Sequence, residues 1–400
     1  MKRFYLLTLL LAPLFLSAQP KYWIYLKDKN QSDAPAISQT TRENRKMLGL
    51  EEVQYTDLPV RQDYKAKLQD QQIKLLNQSK WLNAVSAHLT SEQAMKLRNM
   101  DFVKDVALID AGFYIASTKL VERSQLAPVM SQVEADAFAK AGYSGKGVTI
   151  GVIDAGFYSA DSTATLQHVF AKNKVLGIRD YVRPERAGEL LFSTAESFSD
   201  THGTEVMTAI TGFDKEEQVQ YGMALNANFY LARTDYSLRE YRGEEDNWIS
   251  AMEWMDSLGV RLINTSLGYA KGFTNPTENY HPSQMDGKTS AITRAAQIAS
   301  DRKGLVLIVS AGNEGDDKGW GIISAPADAQ GVMAIGATNQ KLWNRIGYSS
   351  IGPEFLDYIK PNVSCFSLYG TSLSAPVITG FMACVMQANP KVSNKELIGL

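Results

Sequence analysis

From Ser131 onward the chain alternates short apolar runs with longer segments of helical spacing, and this alternation restricts the fold more than any other feature. Val148–Ile153 is apolar apart from Thr149, and similar runs recur at Phe229–Ala232, Arg261–Asn264, Leu305–Ser310 and Val332–Ala337. A strand with one wet face alternates apolar and polar residues, whereas a nearly continuous apolar run belongs to a strand covered on both faces. Between these runs lie helix-like segments at His202–Thr211, Asp246–Leu258 and Thr289–Asp301. The pattern predicts an α/β fold, a mostly parallel sheet with helices on both faces. The stretch from 131 to the end suits one such domain in size.

The chain ahead of Ser131 has a different texture. Lys2 and Arg3 precede an apolar stretch, Phe4–Leu16, and then the small residues Ser17 and Ala18. This is the pattern of a secretory signal peptide over 1–18, too short for a spanning helix. It predicts a protein that works outside the cytoplasm, secreted, periplasmic or at the cell surface, with no membrane span once the leader is gone. Residues 19–115 read as a small α+β unit. Tyr22–Leu26 is strand-like, Arg61–Trp81 helical, Ala84–Leu89 a strand, and Phe102–Ile109 another. Thr90 followed by Gln93 fits a capping box opening a short helix through Leu97. The order β-α-β-α-β predicts a ferredoxin-like sheet. Residues 116–130 lack an apolar period and read as a linker.

Composition excludes some functions. With 41 basic and 43 acidic residues the formal charge is −2, and no basic stripe stands out. Nucleic-acid binding is therefore disfavoured. Two cysteines in 400 residues cannot make a disulfide framework. There are only four histidines, so each can be judged by its context.

Four short segments carry chemistry. Asp154 ends a buried strand and is followed by the Ala155-Gly156 turn, the place where α/β sheets put function. His202 lies in Asp200-Thr201-His202-Gly203-Thr204 at the start of a helix. Ser372 lies in Gly370-Thr371-Ser372-Leu373-Ser374-Ala375-Pro376, opening an apolar helix. There a hydroxyl sits at the positive end of a helix dipole. Asn313 stands between Gly312 and the Glu314-Gly315 pair, where a carboxamide can donate to an oxyanion. Taken singly, each segment also fits a plain structural role: a turn aspartate, a loop histidine, an N-cap serine, a Gly-Asn turn.

Together the four resemble the subtilisin-like serine protease family (subtilases, peptidase S8 type). The chain order Asp, His, Ser and the local context of each residue carry the resemblance. It spans residues 131–400, with Ser131-Gln132-Val133 and Ala141–Gly145 leading to the Asp154 strand, and the 19–115 unit resembles an inhibitor-I9-like propeptide. The resemblance implies a serine endopeptidase that acts on polypeptides. Ser372 would be the nucleophile, His202 the base, Asp154 its orienting partner, and Asn313 an oxyanion donor. It implies that Ser266, Leu267 and Gly268, with Ala311 and Gly312, bind the substrate backbone, and that Glu314 borders the S1 pocket. It implies a propeptide that inhibits its own enzyme and is cut away in the linker. No cofactor is needed for the chemistry. The family often binds structural Ca²⁺, but no segment here identifies a site.

Three departures stand against the family pattern. Glu205 replaces a second histidine and is expected to bear on helix packing more than chemistry. Leu373-Ser374 replaces Met-Ala. The span from Asp154 to His202 is long, and the excess is expected as a surface loop around Tyr158–Ala195. Cys365 and Cys384 flank Ser372 and are expected as unpaired thiols. His88, His168 and His281 lack the His-Gly-Thr context and are expected at the surface. Residues Asn394–Leu400 read as a helix just begun, as in a chain cut short. Two other readings stay in play, a non-catalytic peptide-binding scaffold of the same fold and an acid-acting sedolisin-type enzyme.

Overall fold

The computed structural model describes residues 20–110, 129–185, 188, 190–236, 241–273, 275–367 and 369–399. The expected leader at 1–18 and nearly all of the expected linker lie outside the described residues.

The N-terminal unit runs β1 (Lys21–Leu26), α1 (Gln39–Met47), α2 (Gln62–Asp70), β2 (Leu75–Ser79), β3 (Ala84–His88), α3 (Ser91–Arg98) and β4 (Val103–Asp110). Its four strands pair antiparallel in the order β2-β3-β1-β4, which is a ferredoxin-like sheet. Tyr22, Ile24 and Leu26 face a core with Tyr64, Leu68, Ala94 and Leu97 of α2 and α3. Trp23 points the other way, into the core of the second unit. Tyr22–Leu26 of β1 is apolar throughout because both faces of the strand are covered.

Two expectations fail in this unit. The helix expected over Arg61–Trp81 ends at Asp70, and Leu75–Ser79 is a fourth strand. Gln72 breaks the helix with a left-handed φ of 59°. As an edge strand, β2 alternates half-buried and exposed residues and so lacks an apolar run. Helix α1 had no apolar stripe to reveal it. Its buried residues are Thr41 and Arg45, and Ser38 caps it by accepting from the Thr41 N–H.

The larger unit begins with α4 (Val129–Gln132) and α5 (Ala135–Lys140), then β5 (Thr149–Asp154), α6 (Gln167–Phe170), β6 (Val175–Asp180) and α7 (Leu190–Ser193). It continues with α8 (His202–Thr211), a small hairpin of β7 (Phe213–Asp214) and β8 (Val219–Gln220), β9 (Asn228–Arg233), α9 (Glu245–Ser257) and β10 (Leu262–Thr265). Next come α10 (Ala291–Lys303), β11 (Val306–Ser310), β12 (Met333–Thr338), β13 (Val363–Phe366), α11 (Thr371–Ala388) and α12 (Asn394–Ile398). Seven strands form one parallel sheet in the order β13-β12-β11-β10-β5-β9-β6. Ile150, Val152, Val306 and Ile308 face α8 and α11, while Ile153, Ile263, Leu307 and Val309 face α9 and α10. Both faces are dry, which explains the uninterrupted apolar runs.

The excess between Asp154 and His202 is not loop alone. It contains β6, which pairs with β9 and extends the sheet. Strands β6 and β13 escaped the sequence reading because edge strands are only partly buried. Among the described residues one helix, Thr371–Ala388, is long and apolar enough to cross a membrane, and 72% of it is buried inside the protein.

The two units meet along α9 and α10 through buried charge. Arg45 donates to Asp57 at 2.6 Å and to Asp256 at 3.0 Å, and Lys303 donates to Asp57 at 2.7 Å. All four side chains are at most 2% exposed. Burial alone would raise the pKa of Asp57, but Arg45 and Lys303 bring it down to about 2. Lys21 reaches Asp246 at 2.8 Å. Glu253 accepts from Ser79 Oγ and from the Lys80 and Trp81 N–H groups, closing the turn between β2 and β3 from the other unit.

Two cations face two carboxylates in the Arg45 network, so removing one leaves a buried charge uncompensated. Arg45→Met should therefore destabilise the full chain by about 3–5 kcal/mol. Urea unfolding measures this, and a loss below about 1 kcal/mol would place the network in the class of solvated surface pairs.

Candidate active site

Asp154 is the last residue of β5, and its side chain is fully buried. Its Oδ1 lies 2.7 Å from His202 Nδ1. Two glycines allow this approach. A Cβ on Gly156 would sit 2.6 Å from Asp200 Cα, and a Cβ on Gly203 would sit 2.4 Å from the Gly156 carbonyl. Without those atoms, Gly203 N–H donates to Gly156 O at 2.8 Å and Tyr158 N–H donates to Asp200 O at 2.8 Å. The turn after the aspartate and the start of the histidine helix are thereby tied backbone to backbone.

Burial pushes the His202 pKa down. The Asp154 carboxylate outweighs this by charge and hydrogen bond, with Glu205 and Asp235 adding to it, and holds the imidazole up at about 8. Glu205 thus bears on the electrostatics of His202.

Parallel pairing sets the next neighbours. Ile153 of β5 is in register with Thr265 of β10, and Thr265 with Val309 of β11. Asp154, Ser266 and Ser310 consequently emerge side by side at the carboxyl edge of the sheet. Ser266 Oγ donates to the Ser372 carbonyl at 2.8 Å, and Ser372 Oγ donates to the Ser266 carbonyl at 3.2 Å. The Ser372 carbonyl is available because Pro376, four residues on in α11, has no N–H to offer it. A buried chain supports this contact. Asn264 Nδ2 donates to Ser266 Oγ at 3.2 Å, and Thr379 Oγ1 of α11 donates to Asn264 Oδ1 at 2.9 Å. Asn264 and Thr379 were missed in the sequence. The only signal was an amide residue inside an otherwise apolar strand.

Asn313 is oriented from the same helix start. Its Oδ1 accepts from the Thr371 N–H at 2.8 Å and from Thr371 Oγ1 at 3.1 Å. Gly312 N–H donates to Thr371 Oγ1 at 3.1 Å. Leu267 is half-buried and Gly268 exposed. Tyr269 pairs with Ala325 as an isolated antiparallel bridge, and Ser324 N–H donates to the Ala311 carbonyl. Ser266–Gly268 and Ala311–Gly312 thus lie on neighbouring strand exits. Glu314 Oε2 accepts from the Asn313 N–H at 2.8 Å and from Ser350 Oγ at 3.3 Å, so this carboxylate is engaged within its own loop.

His88 and His281 are exposed. His168 is half-buried rather than exposed. Both of its ring nitrogens are enclosed, and burial pushes its pKa down. Cys365 and Cys384 are buried free thiols, and burial raises the pKa of each. Ser374 is buried, and its hydroxyl donates to the Thr371 carbonyl at 3.0 Å, which accommodates a polar residue in an apolar helix. Among the described residues no group of three or more His, Cys, Asp or Glu side chains is placed to hold a metal ion.

Comparison with known proteins agrees with this architecture. The model of the subtilase family matches residues 145–400, and a peptidase S8 propeptide domain of Bacteroidota matches residues 21–123. Subtilisin DY of Bacillus licheniformis is 27% identical over 274 residues, covering 66% of this chain and 86% of its own. Subtilisin NAT of Bacillus subtilis subsp. natto is 28% identical over 335 residues, covering 81% of this chain and 76% of its own. The solved structure of the epidermin leader peptide processing serine protease from Staphylococcus aureus is 16% identical with a TM-score of 0.62. It covers 96% of this chain and 92% of its own, and its likeness concerns the fold. With a propeptide domain ahead of a catalytic unit that the family model matches to the end of the chain, the protein belongs to the subtilase family of serine endopeptidases.

Proposed function

We propose that this endopeptidase cuts peptide bonds with Ser372 as nucleophile, His202 as general base and Asp154 as the group that orients the imidazole. The 2.7 Å contact between Asp154 Oδ1 and His202 Nδ1 is the observation that carries the reading. It fixes the tautomer with the proton on Nδ1 and leaves Nε2 to accept the serine proton. The Ser372 hydroxyl would turn from the Ser266 carbonyl toward His202 when substrate arrives. Attack on the scissile carbonyl forms a tetrahedral oxyanion. Asn313 Nδ2 and the Ser372 N–H, at the positive end of the α11 dipole, would stabilise it. His202 then protonates the leaving amine. Water, deprotonated by the same imidazole, hydrolyses the acyl-enzyme and regenerates Ser372.

In this reading an extended polypeptide pairs with the backbone at Ser266–Gly268, and Ala311–Gly312 wall the adjoining pocket. Main-chain pairing is indifferent to side chains, which supports broad specificity. The engaged Glu314 carboxylate argues against a strong preference for basic side chains there. Residues 1–18 would direct export, and 19–115 would inhibit the enzyme until cleavage within 116–130. The buried ion network between the units supports a tightly held inhibitor. The chemistry calls for no cofactor.

Mass mapping after fluorophosphonate treatment of the processed protein tests the nucleophile. An adduct should form on Ser372 and be lost in Ser372→Ala. An unlabelled wild-type protein would instead indicate a peptide-binding scaffold. Asn313→Ala should lower kcat by about 10²–10³-fold and leave folding intact, the magnitude known for such a donor in subtilisin. Wild-type turnover in that variant would remove Asn313 from the oxyanion site. His202 must be neutral to accept a proton, and its pKa is raised, so kcat/KM should fall as the pH drops through about 8. A pH–rate profile that peaks only in acid would point to the sedolisin-type alternative.

A further inference from the structure

One buried cation beside this site has no part in the mechanism above. Arg233 ends β9 and is the register partner of Asp154 on the neighbouring parallel strand. Its side chain is 2% exposed. Nε donates to the Ala155 carbonyl at 2.9 Å, directly after Asp154. Nη2 donates to Asp200 Oδ1 at 3.2 Å and to Glu196 Oε2 at 3.4 Å. Nη1 donates to Asp180 Oδ2, at the end of β6, at 3.4 Å. The other oxygen of Asp200 accepts from the Glu196 and Ser197 N–H groups, which closes the short turn Phe198–Thr201 that delivers His202. Arg183 adds a more exposed contact to Glu196 at 3.3 Å.

A single planar fork therefore touches three segments: the exit of the Asp154 strand, the turn ahead of His202 and the end of the strand inserted between them. A guanidinium holds such a set of acceptors in fixed relative geometry, which a flexible ammonium cannot reproduce. The Asp180 and Asp200 carboxylates are each 3% exposed, and each is paired with this cation.

We propose that Arg233 is a positioning residue for catalysis, locking the turn ahead of His202 to the carbonyl after Asp154 and so holding the imidazole on its carboxylate. This inference rests on the triad reading above. It also gives the long span between Asp154 and His202 a role: β6 presents one of the carboxylates that clamp the guanidinium in place.

The test uses processed enzyme whose active sites are counted by fluorophosphonate labelling. Arg233→Met should lower kcat per labelled site by about 10²-fold, the cost of roughly 1 Å of misplacement, with KM nearly unchanged. Arg233→Lys keeps the charge but spans one partner at a time, so its kcat should lie between those of Arg233→Met and wild type. Because its charge is kept, a shift of its acid limb in kcat/KM toward lower pH reports a loosened His202–Asp154 contact rather than a lost cation. If Arg233→Met yields no labelled enzyme, the lysine variant decides. A lysine enzyme with kcat per labelled site within about twofold of wild type and an unmoved acid limb overturns the inference. A wild-type enzyme that fails to label at Ser372 sinks the triad reading instead.

Discussion

The central sheet is dry on both faces, and the rest of the molecule follows from that. Parallel strands need crossover helices, the helices cover both faces, and little side-chain surface remains for polar function except at the strand ends. Asp154, Ser266 and Ser310 emerge together at the carboxyl edge because β5, β10 and β11 are register neighbours. Helices α8 and α11 start at the same edge. The candidate site lies on that rim, where polar side chains and orphan helix N–H groups coincide.

At that rim, precision comes from backbone proximity and from buried polar groups. The Gly156–Gly203 contact brings the aspartate turn against the histidine helix. Pro376 withholds a donor from α11, and the Ser266 hydroxyl takes its place on the Ser372 carbonyl. Thr379 and Asn264 support that hydroxyl from below. The propeptide unit is held differently. It adds Trp23, Trp81, Ala84 and Ile109 to the core beneath α9 and α10 and closes the contact with a neutral set of four buried ions.

Much of this was legible in the residues. The apolar runs marked the five inner strands, and the contexts of Asp154, His202, Asn313 and Ser372 drew attention to residues that the fold brings to one edge. Edge strands were not legible. β2, β6 and β13 are partly exposed and leave no apolar run, so one was read as helix, one as loop and one was not seen. Helix α1 was also hidden, because its inward positions are a threonine and an arginine. His168 was misplaced because a histidine in a polar stretch says nothing about what folds over it.

By itself the sequence determined the parallel-sheet class, the small antiparallel unit ahead of it and which side chains are candidates for the chemistry. These follow from local periodicity and from short motifs, which act within a few residues. Only the tertiary structure decided which distant groups hold those side chains in place. Arg233 meets Asp180, Glu196 and Asp200, Arg45 meets Asp256, and Asn264 meets Thr379 across separations that no local pattern encodes. A buried ion or amide is tolerated only when its partners arrive, and their arrival depends on the register of the whole sheet.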